Sequence, residues 1–177
     1  IRLKKGLNIN LQGEADKVYA SIPQSQNFSI KPTDFHSFTP KMVVKEGDKV
    51  KAGSSLFFDK YDERIRFSSP VSGEVVEIVR GEKRRLEEIR ILPDKVNKFI
   101  KFKKYNESDI DQLSKEEIIN NLCSSGIWPN LIQRPFGMVA DPKLSPKSIF
   151  ISFFDTNPLS PNYSYVYAED KEFIKIG

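Results

Sequence analysis

One histidine, His36, and one cysteine, Cys123, bound the chemistry open to this chain of 177 residues. A lone cysteine excludes an internal disulfide framework and any iron–sulfur or zinc site built on cysteines. A lone histidine leaves only His36 for a two-histidine metal site or a Cys-His dyad, and little for a catalytic triad. Asp59, Asp62 and Glu63 stand close together, but in a turn, where solvation is expected rather than paired acid–base work. Two stretches set polar donors among large apolar side chains. Phe35-His36-Ser37-Phe38 reads as an aromatic and imidazole lip for a planar ligand, or as an edge cover with His36 at the surface. The stretch from Ile127 to Gly137 carries the only tryptophan, Trp128, and sets Arg134 beside Pro135-Phe136-Gly137. It reads as a binding segment, or as Trp128 and Phe136 filling a joint between domains.

Other chemistries lack their sequence signatures. No Gly-X-Gly-X-X-Gly or Walker loop is present to cradle a nucleotide phosphate, and no Gly-X-Ser-X-Gly elbow to raise a nucleophile. Charge is mixed, 28 basic residues against 24 acidic for a net +4. The basic run at Glu82-Lys83-Arg84-Arg85-Leu86-Glu87-Glu88 alternates with acids, as a solvated hairpin face does. No basic stripe interleaved with aromatics appears, so a nucleic-acid partner is not expected. No apolar run approaches the roughly 18 residues that span a bilayer, and the start carries no signal-peptide core. The Asn-X-Ser sequons at Asn27, Asn106 and Asn162 are therefore read as chance. A cytoplasmic setting, or the cytoplasmic face of a membrane, is expected. The start at Ile1 without methionine and the stop at Gly177 in an apolar helical pattern read as a piece of a longer protein.

The elements that position these residues are organised by the stretch Val43–Ile78. Gly47 and Gly53 stand at turns where φ > 0 is cheap only for glycine. Val50, Leu56, Phe57, Ile65 and Phe67 supply the apolar contacts between turns, and Val76 with Ile78 alternates onto the next strand. The spacing resembles the hairpin core of a biotinyl/lipoyl-carrier-like domain, a barrel-sandwich hybrid. Carrier domains of that kind present a modified lysine on a tight hairpin tip. Counted back from Gly73, that register falls on Asp62, and Lys60 lies two residues away on what reads as a longer, charged tip. The hairpin is thus read as a scaffold. Leu7–Leu11 reads as a strand, and the prolines at 32 and 40 hold the intervening loop extended. Leu86, Ile89, Ile91 and Leu92 continue the sheet, and the first domain is expected to close near Lys103.

Beyond it, Ser114-Lys-Glu-Glu117 is a capping box opening a helix with Ile118, Ile119 and Leu122 as its buried stripe. Cys123 falls within that helix as a buried thiol, and Gly126 sits where a left-handed terminating residue belongs. Ser148–Phe154 reads as a buried strand whose polar crest, from Asp155, opens an α/β sheet. Asp155 at that crest reads as a functional residue or, in preference, as the cap of its own loop. Tyr163–Tyr167 reads as irregular or extended, and Glu169 onward as a helix start. The fold class is α+β: a β-rich barrel-sandwich hybrid over 1–103, then a helical connector and the start of a Rossmann-like α/β domain over 104–177.

Taken in order, several pieces are diagnostic together: Lys4-Lys-Gly-Leu7, Lys45-Glu-Gly-Asp-Lys-Val50, Leu56-Phe-Phe-Asp-Lys60, Ser69-Pro-Val-Ser-Gly-Glu-Val-Val-Glu-Ile78, Arg80-Gly-Glu82, Arg134-Pro-Phe136 and Phe150-Ile-Ser-Phe-Phe-Asp-Thr-Asn-Pro-Leu159. The succession resembles the A-subunit family of the bacterial sodium-translocating NADH:quinone oxidoreductases. That family is similar in architecture to the C subunit of Rnf complexes and to the flavoprotein subunit of complex I. The resemblance implies a peripheral subunit on the cytoplasmic face of the bacterial inner membrane, acting in an enzyme that oxidises NADH, reduces quinone and exports sodium. The Rnf cluster cysteines and the complex I glycine-rich loop are both missing. Neither flavin nor cluster is therefore expected here; NAD, flavins and a 2Fe–2S centre belong to partner subunits, and the isolated chain is expected to be inactive. Quinone is the expected ligand, with Phe35, Phe38, Leu131, Phe136 and Met138 as apolar walls. His36 and Arg134 would be the polar contacts, since a reduced quinone gains negative charge before protonation. The competing readings are a lipoyl- or biotinyl-type carrier domain of an acyl-transfer or carboxylase enzyme, and a docking subunit with no ligand of its own.

Overall fold

A computed structural model describes residues 12, 13, 16–152, 155, 157 and 160–168. The expected strand at Leu7–Leu11 and the helix start at Glu169 lie outside the described residues. Two compact units divide the chain, Gln24–Ser145 and the joined ends Ile1–Pro23 with Pro146–Gly177.

The larger unit is built on two antiparallel sheets. Strands β1 (Phe28–Ile30), β2 (Pro40–Met42), β3 (Lys49–Val50), β4 (Ser55–Asp59), β5 (Asp62–Ser68), β6 (Gly73–Arg80) and β7 (Leu86–Pro93) are arranged as β1-β7-β6-β3 and β2-β4-β5. Between the sheets lie Val50, Leu56, Phe57, Ile65, Phe67, Val71, Val75, Leu86, Ile89 and Ile91, all buried. Every apolar residue expected from the first hairpins is there. Val76 is a correction: it is 42% exposed, and Val75, fully buried, takes the core position. The register runs from Val75↔Ile91 to Glu77↔Arg90, so Val76 is an extra residue on β6 and the inward face changes parity there. A second irregularity, from Val79↔Glu88 to Arg80↔Leu86, lets Leu86 and Ile89 both point inward, while Leu92 is 50% exposed.

The β4–β5 tip also departs from expectation. Asp59 pairs with Asp62, so the tip is the tight pair Lys60-Tyr61, and the surplus residues fall in β5, where Phe58 pairs with Arg66. Lys60 thus stands at a hairpin tip, exposed. Asp59 is not solvated. It is buried because its Oδ1 accepts the Thr39 N–H at 3.0 Å. Asp62 accepts two hydrogen bonds from the Arg64 guanidinium, at 2.9 and 2.7 Å, with Lys143 Nζ 3.6 Å away.

Packing continues past Lys103. After the short helix α1 (Glu107–Ile110), helix α2 (Lys115–Ser124) carries the expected capping box, with Ser114 Oγ accepting the Glu117 N–H and Glu117 accepting the Ser114 N–H, both at 3.2 Å. Its buried side is Ile119, Leu122 and Cys123; Ile118, expected inside, is 39% exposed. Helical geometry groups residues three and four apart, and Cys123 fixes which face is inward. Gly126, φ +75°, ends the helix, with the Ile127 N–H donating to Leu122 O and the Gly126 N–H to Cys123 O. Cys123, Trp128 and Val139 share the core of the two sheets.

In the second unit, Ser148–Ser152 forms no strand; Phe150 is 91% exposed. A strand apolar on both faces needs neighbours on each side, and no described strand pairs with it. Asp155 closes its own loop, accepting the Asn157 N–H at 2.9 Å. Tyr163–Val166 is one helical turn, α3, rather than extended, because Asn162 Oδ1 caps it by accepting the Tyr165 N–H at 3.2 Å.

Candidate functional site

The loop between β1 and β2 is not extended. Proline at a first helical position costs nothing, and Pro32–Asp34 closes one 3-10 turn, with the Phe35 N–H donating to Pro32 O. Ser37 then takes φ +63°, which brings Phe35 and Phe38 to the same side of the loop. Both are half-buried against the barrel. Phe35 meets the Phe67 ring edge-on at 4.8 Å; Phe38 stacks on Phe67 at 4.5 Å and on Phe57 at 5.9 Å. The backbone downstream is pinned by Thr39 to Asp59 and by the Lys60 N–H donating to Thr39 O at 2.8 Å. His36, between the two aromatics, is exposed.

The second stretch forms a small hairpin, β8 (Ile132–Gln133) and β9 (Met138–Val139). It is anchored by Trp128, which is buried and donates its Nε1–H to Ala140 O at 2.7 Å, so Trp128 is a packing residue. The tip runs through a cis Arg134–Pro135 bond to Gly137, φ +68°, whose N–H donates to Gln133 O. Arg134 is exposed, Phe136 is 82% exposed at the tip, Leu131 is 36% exposed, and Met138 is half-buried. The Val139 N–H donates to His36 O at 3.3 Å. One backbone hydrogen bond therefore sets the two candidate stretches side by side.

A cleft of about 300 Å³ opens at the first stretch, lined by Pro32, Thr33, Phe35, His36, Ser37, Phe38 and Pro40 and closed by Arg85 and Leu86. Leu131, Arg134, Phe136 and Met138 do not line it. A second hollow, about 360 Å³, lies among Gln24, Gln26, Leu92 and Lys95 and offers no aromatic wall. Sequence reading missed Arg85 as a cleft residue because its run of alternating charges reads as a solvated face. The available signal was Leu86, the one apolar residue in that run, which is buried and fixes Arg85 beside the core. Burial pushes the Cys123 thiol up to about 11, which marks it as packing rather than nucleophile. Among the described residues no group of three His, Cys, Asp or Glu side chains is placed to hold a metal ion. No helix among them is long and apolar enough to cross a membrane.

Comparison with known proteins bears on what this arrangement serves. Residues 1–94 match the family described as the NqrA N-terminal barrel-sandwich hybrid domain, and residues 113–177 match the NqrA second alpha/beta domain. The chain is 35% identical over 173 residues to the A subunit of the Na(+)-translocating NADH-quinone reductase of Marinomonas sp. (strain MWYL1), covering 97% of this chain and 38% of the relative. It is 38% identical over 169 residues to the A subunit of the same name from Histophilus somni (strain 2336), covering 96% and 38%. Against that of Pseudomonas aeruginosa (strain UCBPP-PA14) it is 35% identical over 177 residues, covering 100% and 40%. The chain thus spans well under half the length of these relatives. The two domain matches follow in the order of the barrel and the segment beyond it, and the chain belongs to the NqrA family.

Proposed function

We propose that this chain serves as part of the A subunit of a Na(+)-translocating NADH-quinone reductase, and that it contributes to quinone binding and to assembly of the complex. The observation that carries this reading is the meeting of Phe35, His36 and Phe38 around one cleft, with the hairpin that carries Arg134 joined to it by the Val139 N–H donating to His36 O. The exposed edges of Phe35 and Phe38 form an apolar wall for a ring, while Leu131, Phe136 and Met138 extend that surface toward the quinone tail. His36 and Arg134 donate to the carbonyl oxygens as these gain charge. NADH oxidation, flavins and the 2Fe–2S centre belong to partner subunits, and association with the cytoplasmic face of the inner membrane runs through those partners.

A photoreactive quinone in the assembled complex is expected to label peptides spanning 32–40 and 131–138; labelling of neither ends the reading. Arg134→Ala with Phe136→Ala is expected to weaken quinone affinity with assembly intact. Loss of assembly at unchanged affinity would instead make the hairpin a docking element. Lys60 is a scaffold tip in this reading, so the natively expressed chain is expected at its unmodified mass; a lipoyl or biotinyl adduct would favour a carrier.

A further inference from the structure

The cleft beside Phe35 and Phe38 is asymmetric in charge. Its polar lining is Thr33, His36, Ser37 and Arg85, and no carboxylate lines it. The two acids that follow Leu86 on β7 face other groups. Glu87 lays its carboxyl over Gly81, where an added Cβ would meet its Oε1, and Glu88 pairs with Arg90 at 3.2 Å. Among the described residues Arg85 takes part in no ion pair.

The turn that presents Arg85 is held in an unfavourable conformation. Lys83 and Arg84 are consecutive non-glycine residues with φ of +53° and +62°. Each such residue carries a steric penalty that glycine would avoid. The turn is closed by the Gly81 N–H donating to Arg85 O at 2.9 Å, the Arg85 N–H donating to Glu82 O at 3.1 Å, and Arg80 Nη1 donating to Arg84 O at 3.3 Å. Leu86, buried in the next position, locks the exit. Backbone held this way is over-determined by its surroundings, and strain of this kind clusters where a side chain must be aimed. Here the residue so held is Arg85, which lines the aromatic-walled cleft.

We infer that the cleft selects the anionic form of a ring ligand, a hydroxylated or reduced quinone head group, and that Arg85 is the residue that confers this selectivity. The inference rests on the quinone reading above and deepens it. A planar ring lies against Phe35 and Phe38, and its ionised oxygen accepts hydrogen bonds from Arg85. Arginine suits that role because it stays charged and presents several donors in one plane. A neutral ring of equal size keeps the apolar contacts and loses only the charge-assisted ones.

The probes are 2-hydroxy-1,4-naphthoquinone, ionised at neutral pH, and its neutral 2-methoxy analogue, each titrated against the 177-residue chain. The anionic probe is expected to bind about tenfold more tightly, as a charge-assisted hydrogen bond in a part-open site provides. Arg85→Gln is expected to abolish the preference, bringing the two probes to equal affinity. Lys83→Gln, the same charge change on the same turn but outside the cleft, is expected to retain it. Equal binding of the two probes to the unaltered chain, or a preference that survives Arg85→Gln, overturns the selectivity and leaves quinone binding standing. Binding of neither probe, together with no photolabelling in the assembled complex, overturns both.

Discussion

Gly126→Ala tests whether the segment carrying the Arg134 hairpin is part of the barrel's own packing. Two independent penalties meet at this position. With φ at +75°, any side chain there pays a left-handed penalty of about 1–2 kcal/mol. An added Cβ would also lie 2.1 Å from Ser68 Oγ and 2.8 Å from Ser68 Cβ, on strand β5 of the barrel. Overpacking of that kind costs about 1–3 kcal/mol. The substitution is therefore expected to cost about 3 kcal/mol, more than the backbone term alone. Ser68 provides the second arm of a cycle, because its hydroxyl is buried and has no hydrogen-bond partner. Ser68→Ala is expected to be neutral or to stabilise by up to about 1 kcal/mol, and in its background Gly126→Ala should cost about 1 kcal/mol less. Urea unfolding followed by the fluorescence of Trp128, the only tryptophan, reads both. With a urea slope of about 1–3 kcal/mol/M, the single substitution moves the midpoint by roughly 1–3 M. A cost near 1 kcal/mol that is equal in both backgrounds would refute the contact between Gly126 and Ser68 of β5.

Two other glycines separate space from backbone freedom: Gly73→Ala would set its Cβ 2.0 Å from the Leu92 carbonyl oxygen, whereas Gly47→Ala, at φ +87°, meets nothing within 4 Å. Urea midpoints are expected to show a loss of about 4 kcal/mol for Gly73→Ala against about 1–2 for Gly47→Ala. The Arg64 guanidinium hydrogen-bonded to Asp62 holds that carboxyl below its usual 3.8. Its contribution is thus complete above about pH 5 and is lost as pH falls through the lowered value. Asp62→Asn is expected to cost about 0.5–1 kcal/mol at pH 7, with the two unfolding curves converging in acid. Cys123, with its thiol pushed up to about 11 by burial, is expected to resist iodoacetamide at pH 8 in the folded chain and to react in urea.

The barrel was legible in sequence because its signals are local. Glycines at turns and alternating apolar residues placed Val50, Leu56, Phe57, Ile65 and Phe67 inside, as found. Val76 was misplaced because a bulge changes strand parity without any sequence mark, and Asp59 because its partner, the Thr39 N–H, lies on another element. The capping box and Gly126 were legible for the same local reason, but the docking of α2 onto β5 was not. For the cleft, Phe35, His36 and Phe38 were found as residues with no other assignment, whereas Arg85 was hidden in a charged run. Adjacency of the two candidate stretches rests on one long-range hydrogen bond, from Val139 to His36, which no periodicity encodes.

That hydrogen bond, and the pairing of β1 with β7, also set an order of events during synthesis. Strand β1 emerges from the ribosome early and finds its partner only when Ile89 and Ile91 appear, some sixty residues later. At about 5–20 residues per second, that interval is roughly 3–12 s. Throughout it the β1 edge and the half-formed aromatic cluster are open to solvent and to other nascent chains. The β2-β4-β5 sheet pairs neighbours in sequence, whereas Trp128 and Val139, which pack into the core of the two sheets, are synthesised after all seven barrel strands. The cleft at His36 therefore comes into existence only at the end of barrel assembly, so a nascent chain cannot hold a ligand there before its barrel is complete.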